Sequence, residues 1–165
     1  MDDSTPVAPP MPGPVTPQTK ERIKSHLVAA NFGNMVTVLM QSPGYENAPI
    51  SDLRTFVVPP LTKNQFRIAE ALVKDSGHSV PVAMLLWAKV SEEVDKRMTD
   101  ATELPIRLDP ADWDSGDIFW VVDAIGQQRF LEPLLKDLMA KEFKGRTVKY
   151  RRKTDTGTEI ATMAA

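Results

Sequence analysis

The sequence predicts an α/β or α+β sandwich in which strands and helices are interleaved along one chain. Two apolar stretches, residues 80–88 and 118–123, have the composition of strands. Residues 130–143 instead repeat their apolar side chains at helical spacing. A chain of 165 residues is long enough for one domain that buries roughly two thirds of its unfolded surface. We therefore expect a single core.

The N-terminal residues are expected to lie outside that core. Six of the 14 prolines fall within the first 17 residues, where large apolar side chains are scarce. This composition is typical of a disordered or polyproline II arm, which we assign to residues 1–18. A ligand for a proline-binding domain is the alternative interpretation. We attach no function to the arm.

The main domain is assigned to residues 19–152, and it begins with a helical pattern that stops at a Ser-Pro-Gly turn, residues 42–44. Residues 54–58 are β-branched and aromatic, which favours a strand. Residues 63–74 return to helical spacing. A tight turn then leads into the apolar stretch 80–88, which is typical of a buried central strand.

The second half of the domain continues in the same way. Ser91 is a suitable N-cap for a short helix, and a Ser-Gly-Asp turn precedes the strand at 118–123. After the helix at 130–143, residues 147–150 predict a last strand. Residues 153–165 are interpreted as a flexible C-terminal tail.

Composition excludes several kinds of site. There is no cysteine, so disulfides, thiolate zinc sites and cysteine nucleophiles are ruled out. His26 and His78 are the only histidines, and neither has a partner at metal-ligand spacing, so we expect no metal. The start of the chain lacks the pattern of a secretory signal, and no apolar stretch is long enough to span a bilayer. We expect a cytoplasmic protein without a transmembrane segment.

Charge is distributed unevenly along the chain. The formal net charge is -2, yet residues 141–153 hold seven cations against one glutamate, a net charge of +6. We call these residues the basic segment. It is most simply a solvated face, and it would also suit an acidic protein partner. Only two aromatic residues interleave its cations, so we expect no nucleic-acid binding.

Two segments carry a family resemblance: Gln-Ser-Pro-Gly-Tyr at 41–45 and Asp-Trp-Asp-Ser-Gly-Asp-Ile-Phe-Trp-Val-Val-Asp at 112–123. Further matching residues lie between them in the same order, namely Pro49, Ser51, Pro59, Pro60, Gln65, Trp87, Ala88, Ser91 and Glu93. This ordered set, from about residue 32 to 150, resembles the RTX-toxin-activating lysine acyltransferases, a hemolysin-activator-like family.

The resemblance implies a fold like that of the Gcn5-related N-acetyltransferases, with a mixed central sheet flanked by helices. It also implies transfer of a fatty acyl group from acyl carrier protein to a lysine ε-amine of a protoxin-type acceptor. Acyl carrier protein and a lysine-bearing protein would be the partners. No cofactor is implied except the phosphopantetheine thioester that the carrier supplies.

In this family a serine and a histidine near the N-terminus and a later aspartate are tied to activity. The serine falls on Ser42 and the aspartate on Asp123, whereas the histidine falls on Tyr45. The chain also departs from the family's Ala-Pro-Phe-Gly turn just after Asp123, where it has Ile-Gly-Gln-Gln-Arg at 125–129. The candidate catalytic residues are therefore Asp123, Tyr45 and Ser42.

The replacement at Tyr45 bears on the mechanism. A lysine amine, with a pKa of about 10.4, must lose a proton to attack a thioester, and a phenol with a pKa of about 10 is a poor base. A phenol can instead give its proton to the departing thiolate. The base would then be Asp123, Glu46 or a water that they hold, and His78 is a further candidate.

Two alternatives stay open. The chain is either an acyltransferase or a catalytically inactive family member, kept as a binding or accessory subunit of a larger complex. Trp87, Trp113 and Trp120 are interpreted as core or turn packing rather than as a cradle for an acyl chain.

Overall fold

The computed structural model describes residues 16–101 and 106–164. Its helices are Pro17–Met40 (α1), Leu53–Phe56 (α2), Val58–Thr62 (α3), Glu92–Asp100 (α4) and Gln128–Lys141 (α5). Its strands are Phe66–Leu72 (β1), Ser79–Val90 (β2), Ile118–Gly126 (β3), Thr147–Thr154 (β4) and Gly157–Ala164 (β5). Residues 1–15 of the predicted arm lie outside the described residues, and none of the helices described here is long and apolar enough to cross a membrane.

The described strands form one mixed sheet in the order β1-β2-β3-β4-β5. The pairs β1–β2, β2–β3 and β4–β5 are antiparallel, whereas β4 runs parallel to β3 after a crossover through α5. Helices α1, α3 and α4 contact one face of the sheet, and α5 packs on the other. The predicted mixed sheet flanked by helices is confirmed, and the arrangement is consistent with the fold of the Gcn5-related N-acetyltransferases.

Strand β2 lies at the centre of the core because both of its faces are covered. Met84, Leu86 and Ala88 face the cluster formed with α1, α3 and α4, which we call the α1 face. Leu85 and Trp87 face the cluster formed with α5, which we call the α5 face. The predicted buried strand at 80–88 is therefore confirmed.

The Trp-Asp-Ser-Gly segment that carries much of the family resemblance has a structural role. The backbone N–H of Lys89 donates to the Trp113 carbonyl at 3.0 Å, and the Ser115 N–H donates to the Lys89 carbonyl at 2.8 Å. The Trp113 indole donates to the Thr55 carbonyl at 3.1 Å. A Cβ on Gly116 would lie 2.5 Å from the Val90 carbonyl oxygen. The segment thus joins the end of β2 to the short helices.

All three tryptophans are buried packing residues, as the composition predicted. Trp113 and Trp120 lie on the α1 face, and Trp87 lies on the α5 face. Two of the indole N–H groups have a partner: Trp113 donates to the Thr55 carbonyl, and Trp120 donates to Asp95 Oδ1 at 2.7 Å.

Two predicted elements are wrong, and they exchange types. Residues 54–58 form helix rather than strand, with local hydrogen bonds such as Val57 N–H to the Leu53 carbonyl at 3.0 Å. Pro59 is tolerated in α3 because it occupies the first turn, where no intrahelical donor is needed. Residues 66–72 of the predicted helix at 63–74 form strand β1, because they pair along their length with β2.

The C-terminal residues also differ from the prediction of a flexible tail. β5 pairs with β4 along its whole length, from Thr147 opposite Ala164 to Thr154 opposite Gly157. The tail therefore completes the sheet as its edge strand. At the other end of the domain, α1 begins two residues before residue 19 and continues through residues 31–40 without interruption.

Candidate active site

The site begins with a turn at the end of α1. The helix ends at Met40, and the buried Ser42 hydroxyl donates to the Val38 carbonyl at 2.6 Å. The Tyr45 N–H in turn donates to the Ser42 carbonyl at 3.1 Å. Ser42 thus closes the last turn of the helix and holds the loop that carries Tyr45.

A β-bulge places Asp123 on the same side of the sheet as that turn. Ile118, Trp120 and Val122 on β3 pack on the α1 face, and so does Ile125, which breaks the alternation of a regular strand. The pairing of β3 with β2 shifts register at this point, between Leu86 and Trp87 of β2. The extra residue reverses the sense of alternation and directs Asp123 toward α1.

Tyr45 and Asp123 meet across 78 positions of sequence. The Tyr45 hydroxyl donates to Asp123 Oδ2, and the Ala124 N–H donates to Asp123 Oδ1 at 2.8 Å. The Tyr45 ring stacks on Phe56, with centroids 5.7 Å apart and an interplanar angle of 20°. Ring stacking and the hydrogen bond together fix the phenol, so the two residues act as one preorganised pair.

Burial makes both groups hold their protons more tightly. Desolvation raises the pKa of Asp123, and this outweighs the opposite effects of the hydrogen bonds from Tyr45 and Ala124. The pKa of Tyr45 is raised by its own burial and then by the charge and hydrogen bond of Asp123. Asp123 is accordingly a stronger base than an exposed aspartate, and Tyr45 is a weaker acid than an exposed phenol.

A pocket of about 320 Å³, which we call the entry pocket, opens beside this pair. It is lined by Gln41, Ser42, Pro43, Tyr45, Val82, Ala124, Ile125, Gly126 and Gln127. The structure thus brings Ser42 and Tyr45 to one pocket, directly beside Asp123. Gly126 has φ of +109°, and a Cβ there would lie 2.4 Å from the Val82 carbonyl oxygen, so the wall of the pocket requires glycine.

The C-terminal part of β3, which carries Asp123, extends beyond the residues that pair with β4. β4 pairs with β3 only at Phe119 with Val148 and Trp120 with Lys149. Asp123 lies beyond this overlap, so at its position β3 pairs with β2 and not with β4.

The other candidates for the base are not part of this arrangement. Glu46 is exposed and does not line the entry pocket, although it neighbours Tyr45 in sequence. His78 is exposed in the connection between β1 and β2, where its carbonyl accepts a hydrogen bond from the Val73 N–H at 2.8 Å. Phe56, which the structure adds to the site, was placed on a predicted strand and carried no signal of contact with Tyr45.

Several cations of the basic segment serve the fold. Lys149 Nζ lies 2.7 Å from Asp95 Oδ1 on α4, and Arg152 forms an ion pair with Glu159 on β5. The Arg151 guanidinium donates to the carbonyls of Met98 and Ala101 at the end of α4. The contacts of Lys149 and Arg151 anchor α4 to β4, and that of Arg152 joins β4 to β5, so only part of the segment's charge is available to a partner.

Comparison with known proteins identifies the family of the chain. A model of the RTX toxin acyltransferase family matches residues 24–165. The chain is 30% identical over 97 residues to the protein-lysine myristoyltransferase RtxC of Kingella kingae. The matched residues make up 58% of this chain and 52%, about half, of that protein. It is 29% identical over 130 residues to the RTX-II toxin-activating lysine-acyltransferase ApxIIC of Actinobacillus pleuropneumoniae. Here the matched residues make up 76% of this chain and 75% of that protein. The chain therefore belongs to the RTX toxin acyltransferase family.

Proposed function

We propose that this protein transfers a fatty acyl group from an acyl carrier protein thioester to a lysine ε-amine of a protoxin-type acceptor. The observation that carries the proposal is the half-buried Tyr45–Asp123 pair beside a pocket, in a chain that belongs to this family. The two relatives are named as a lysine myristoyltransferase and a toxin-activating lysine acyltransferase, which supports lysine as the acceptor.

Asp123 is the proposed base. The amine must lose one proton as its nitrogen forms a bond to the acyl carbon and the bond from that carbon to sulfur breaks. A raised pKa makes the Asp123 carboxylate a better acceptor for this proton. Each carboxylate oxygen holds one hydrogen bond in the structure and has a second acceptor direction for the incoming amine.

Tyr45 has a positioning role in this proposal. Its proton lies on the hydrogen bond to Asp123, and its raised pKa makes release of that proton to a thiolate harder. The geometry therefore favours a phenol that orients the carboxylate over a phenol that acts as the acid. Ser42 supports both by holding the turn, and its hydroxyl is already donated to Val38.

The test is intact-mass spectrometry of a lysine-bearing RTX acceptor after incubation with this protein and acyl-loaded carrier. We expect a mass gain of one acyl chain per modified lysine. Asp123→Asn should lower the rate by about 10²- to 10⁴-fold, the usual value of acid-base assistance. Asp117→Asn, a change of the same type at an exposed residue just before β3, should leave the rate unchanged.

A catalytically inactive accessory subunit is the second candidate. It is favoured by the phenol at position 45, where the family's motif has a histidine: the Tyr45 hydroxyl donates to Asp123, and no imidazole stands there to accept a proton. This candidate predicts no acyl gain on any lysine-bearing acceptor, with the acyl carrier or another complex partner still retained in a pull-down.

A further inference from the structure

A second pocket lies on the other side of Tyr45. It measures about 260 Å³ and is formed by the end of α1, residues 44–56 and residues 106–108. Tyr45 also lines the entry pocket and is the one residue that the two linings share. We call this second pocket the distal pocket. A ligand that occupied both pockets would lie against Tyr45.

The inner wall of the distal pocket is apolar. Leu39 and Leu108 are buried, and Leu53, Phe56 and Ile106 are half-buried and pack against the α1 face. None of these side chains can donate or accept a hydrogen bond. A ligand that fills the pocket is therefore held by apolar contact.

Apart from the exposed Asn47, the polar side chains at the distal pocket that belong to Asp52, Thr55 and Arg107 are already engaged. Arg107 Nη2 lies 3.4 Å from Asp52 Oδ2, and the Arg107 side chain is 77% exposed. The Thr55 carbonyl accepts the Trp113 indole N–H at 3.1 Å, and its hydroxyl donates to the Asp52 carbonyl at 3.1 Å. These groups form a rim in contact with water, and the interior offers no charge to recognise a polar ligand.

The entry pocket has a different character. Gln41, Ser42 and Gln127 give it amide and hydroxyl groups, which suit the polar groups around a thioester. The arrangement is thus a pocket of mixed lining, with the amides of Gln41 and Gln127, and a more apolar pocket, and the two meet at Tyr45 of the proposed reactive pair. A fatty acyl thioester has the same order of groups, with a polar end, a reacting carbonyl and an apolar chain.

Resting on the proposed function, we propose that the distal pocket binds the hydrocarbon chain of the acyl donor, and that Ala48 and Leu53 set the longest chain accepted. Both residues line the pocket, and neither takes part in the hydrogen bond between Tyr45 and Asp123. Ala48 is exposed, and its backbone N–H donates to the Tyr45 carbonyl at 2.9 Å. A larger side chain there takes up volume in the pocket and leaves that backbone hydrogen bond in place.

The test measures binding separately from transfer. Carrier protein bearing an S-alkyl phosphopantetheine, a thioether that cannot transfer its chain, is titrated onto the protein with saturated chains of increasing length. For the wild-type protein we expect affinity to rise by about fourfold per added methylene up to a limiting length, from about 0.8 kcal/mol per buried methylene. Beyond that length affinity should no longer rise.

Two variants shift the limit in opposite directions. Ala48→Phe should move it to a shorter chain, because the phenyl group fills the pocket. Leu53→Ala should move it to a longer chain. The matched control is Ala140→Phe, which adds the same group at an exposed position of α5, on the other face of the sheet, and should leave the profile unchanged.

Each outcome separates this inference from the proposed transfer. The same chain-length profile in wild type and Ala48→Phe overturns the inference, even if both transfer acyl groups. A shifted binding profile with no acyl gain on the acceptor supports the distal pocket as a chain site and contradicts the transferase. Affinity that does not depend on chain length in wild type also overturns the inference.

Discussion

At the residue scale, the site depends on a carboxyl group that is held in an unfavourable environment. Asp123 is half-buried beside β2, and desolvation raises its pKa above that of an exposed aspartate. A group with a raised pKa in the folded state stabilises the fold most below its unfolded pKa, and that stability is lost as pH rises through the folded value. Ionised Asp123 therefore destabilises the protein at neutral pH.

Asp123→Asn should for this reason raise the melting temperature at neutral pH while it lowers acyl transfer. The gain should shrink as pH falls through the raised pKa of Asp123, and it should vanish near the unfolded value of about 3.9. Thermal denaturation of wild type and variant across this range is the measurement. Asp117→Asn serves as the control, and an equal gain at every pH would contradict the explanation by ionisation.

The hydroxyl of Tyr45 acts on the same carboxylate. Its hydrogen bond lowers the pKa of Asp123 against the larger effect of burial. Tyr45→Phe keeps the ring that stacks on Phe56 and removes this donor, so the pKa of Asp123 should rise further. We expect the acid limb of the pH profile of kcat/KM to move to higher pH. Tyr150→Phe, the same change at the chain's other tyrosine, should not move it, and an unmoved limb in Tyr45→Phe would exclude the positioning role.

Sequence could identify the members of the pair and not their contact. Ser42 and Asp123 follow from the ordered motif, and Tyr45 from the position where that motif has a histidine. The direction of the Asp123 side chain depends on the bulge opposite Leu86 and Trp87, which has no glycine or other local signal. The stacking on Phe56 depends on residues 53–56 being helical, which the sequence pattern did not predict.

At the element scale, the strand that is most deeply buried was predicted correctly from the sequence, and less buried strands were not. β2 is buried on both faces and was predicted from its unbroken apolar stretch. β1 is paired with β2 alone, and Phe66, Ile68 and Leu72 satisfy a period of two as well as the spacing of a helix. Only the pairing of β1 with β2, which lies later in the chain, decides between strand and helix. The same holds for β5, whose polar residues give no sign of a strand.

The turn that holds β2 against α4 supplies a stability test. In Gly116→Ala the added Cβ meets backbone atoms of Val90 and Ser91 at 2.5 to 2.7 Å, which forces the backbone to shift. We expect a loss of about 1–3 kcal/mol in the free energy of unfolding, measured by urea titration. The transfer rate per folded molecule should be retained, since this turn lies outside both pockets.

Gly33→Ala is the matched change in the interior of α1. A Cβ there has no neighbour within 4 Å, so the substitution should stabilise the helix by about 0.5–1 kcal/mol. Opposite signs for the two variants would show that the close approach at Gly116 is responsible. Similar effects of both would contradict that account.

At the scale of the whole molecule, some cations of the basic segment form ion pairs within the fold, and others are exposed to solvent. Lys141 and Lys149 form ion pairs with Asp137 and Asp95. Lys144 and Lys153 are exposed, and among the ion pairs of the described residues neither takes part. Arg146 is exposed as well, but its guanidinium lies over the Phe119 ring, so the two lysines are the cations of the basic segment most available to an acidic carrier protein.

Reversal of both charges, in Lys144→Glu with Lys153→Glu, should therefore lower kcat/KM for the acyl carrier several-fold at low salt. The loss should diminish as salt is added, because exposed charges are screened beyond a Debye length of about 8 Å near 0.15 M. Lys20→Glu with Lys24→Glu makes the same change in net charge at the exposed start of α1 and should have a smaller effect. Equal losses in the two double variants would mean that net charge, and not the position of the basic segment, governs the encounter with the carrier.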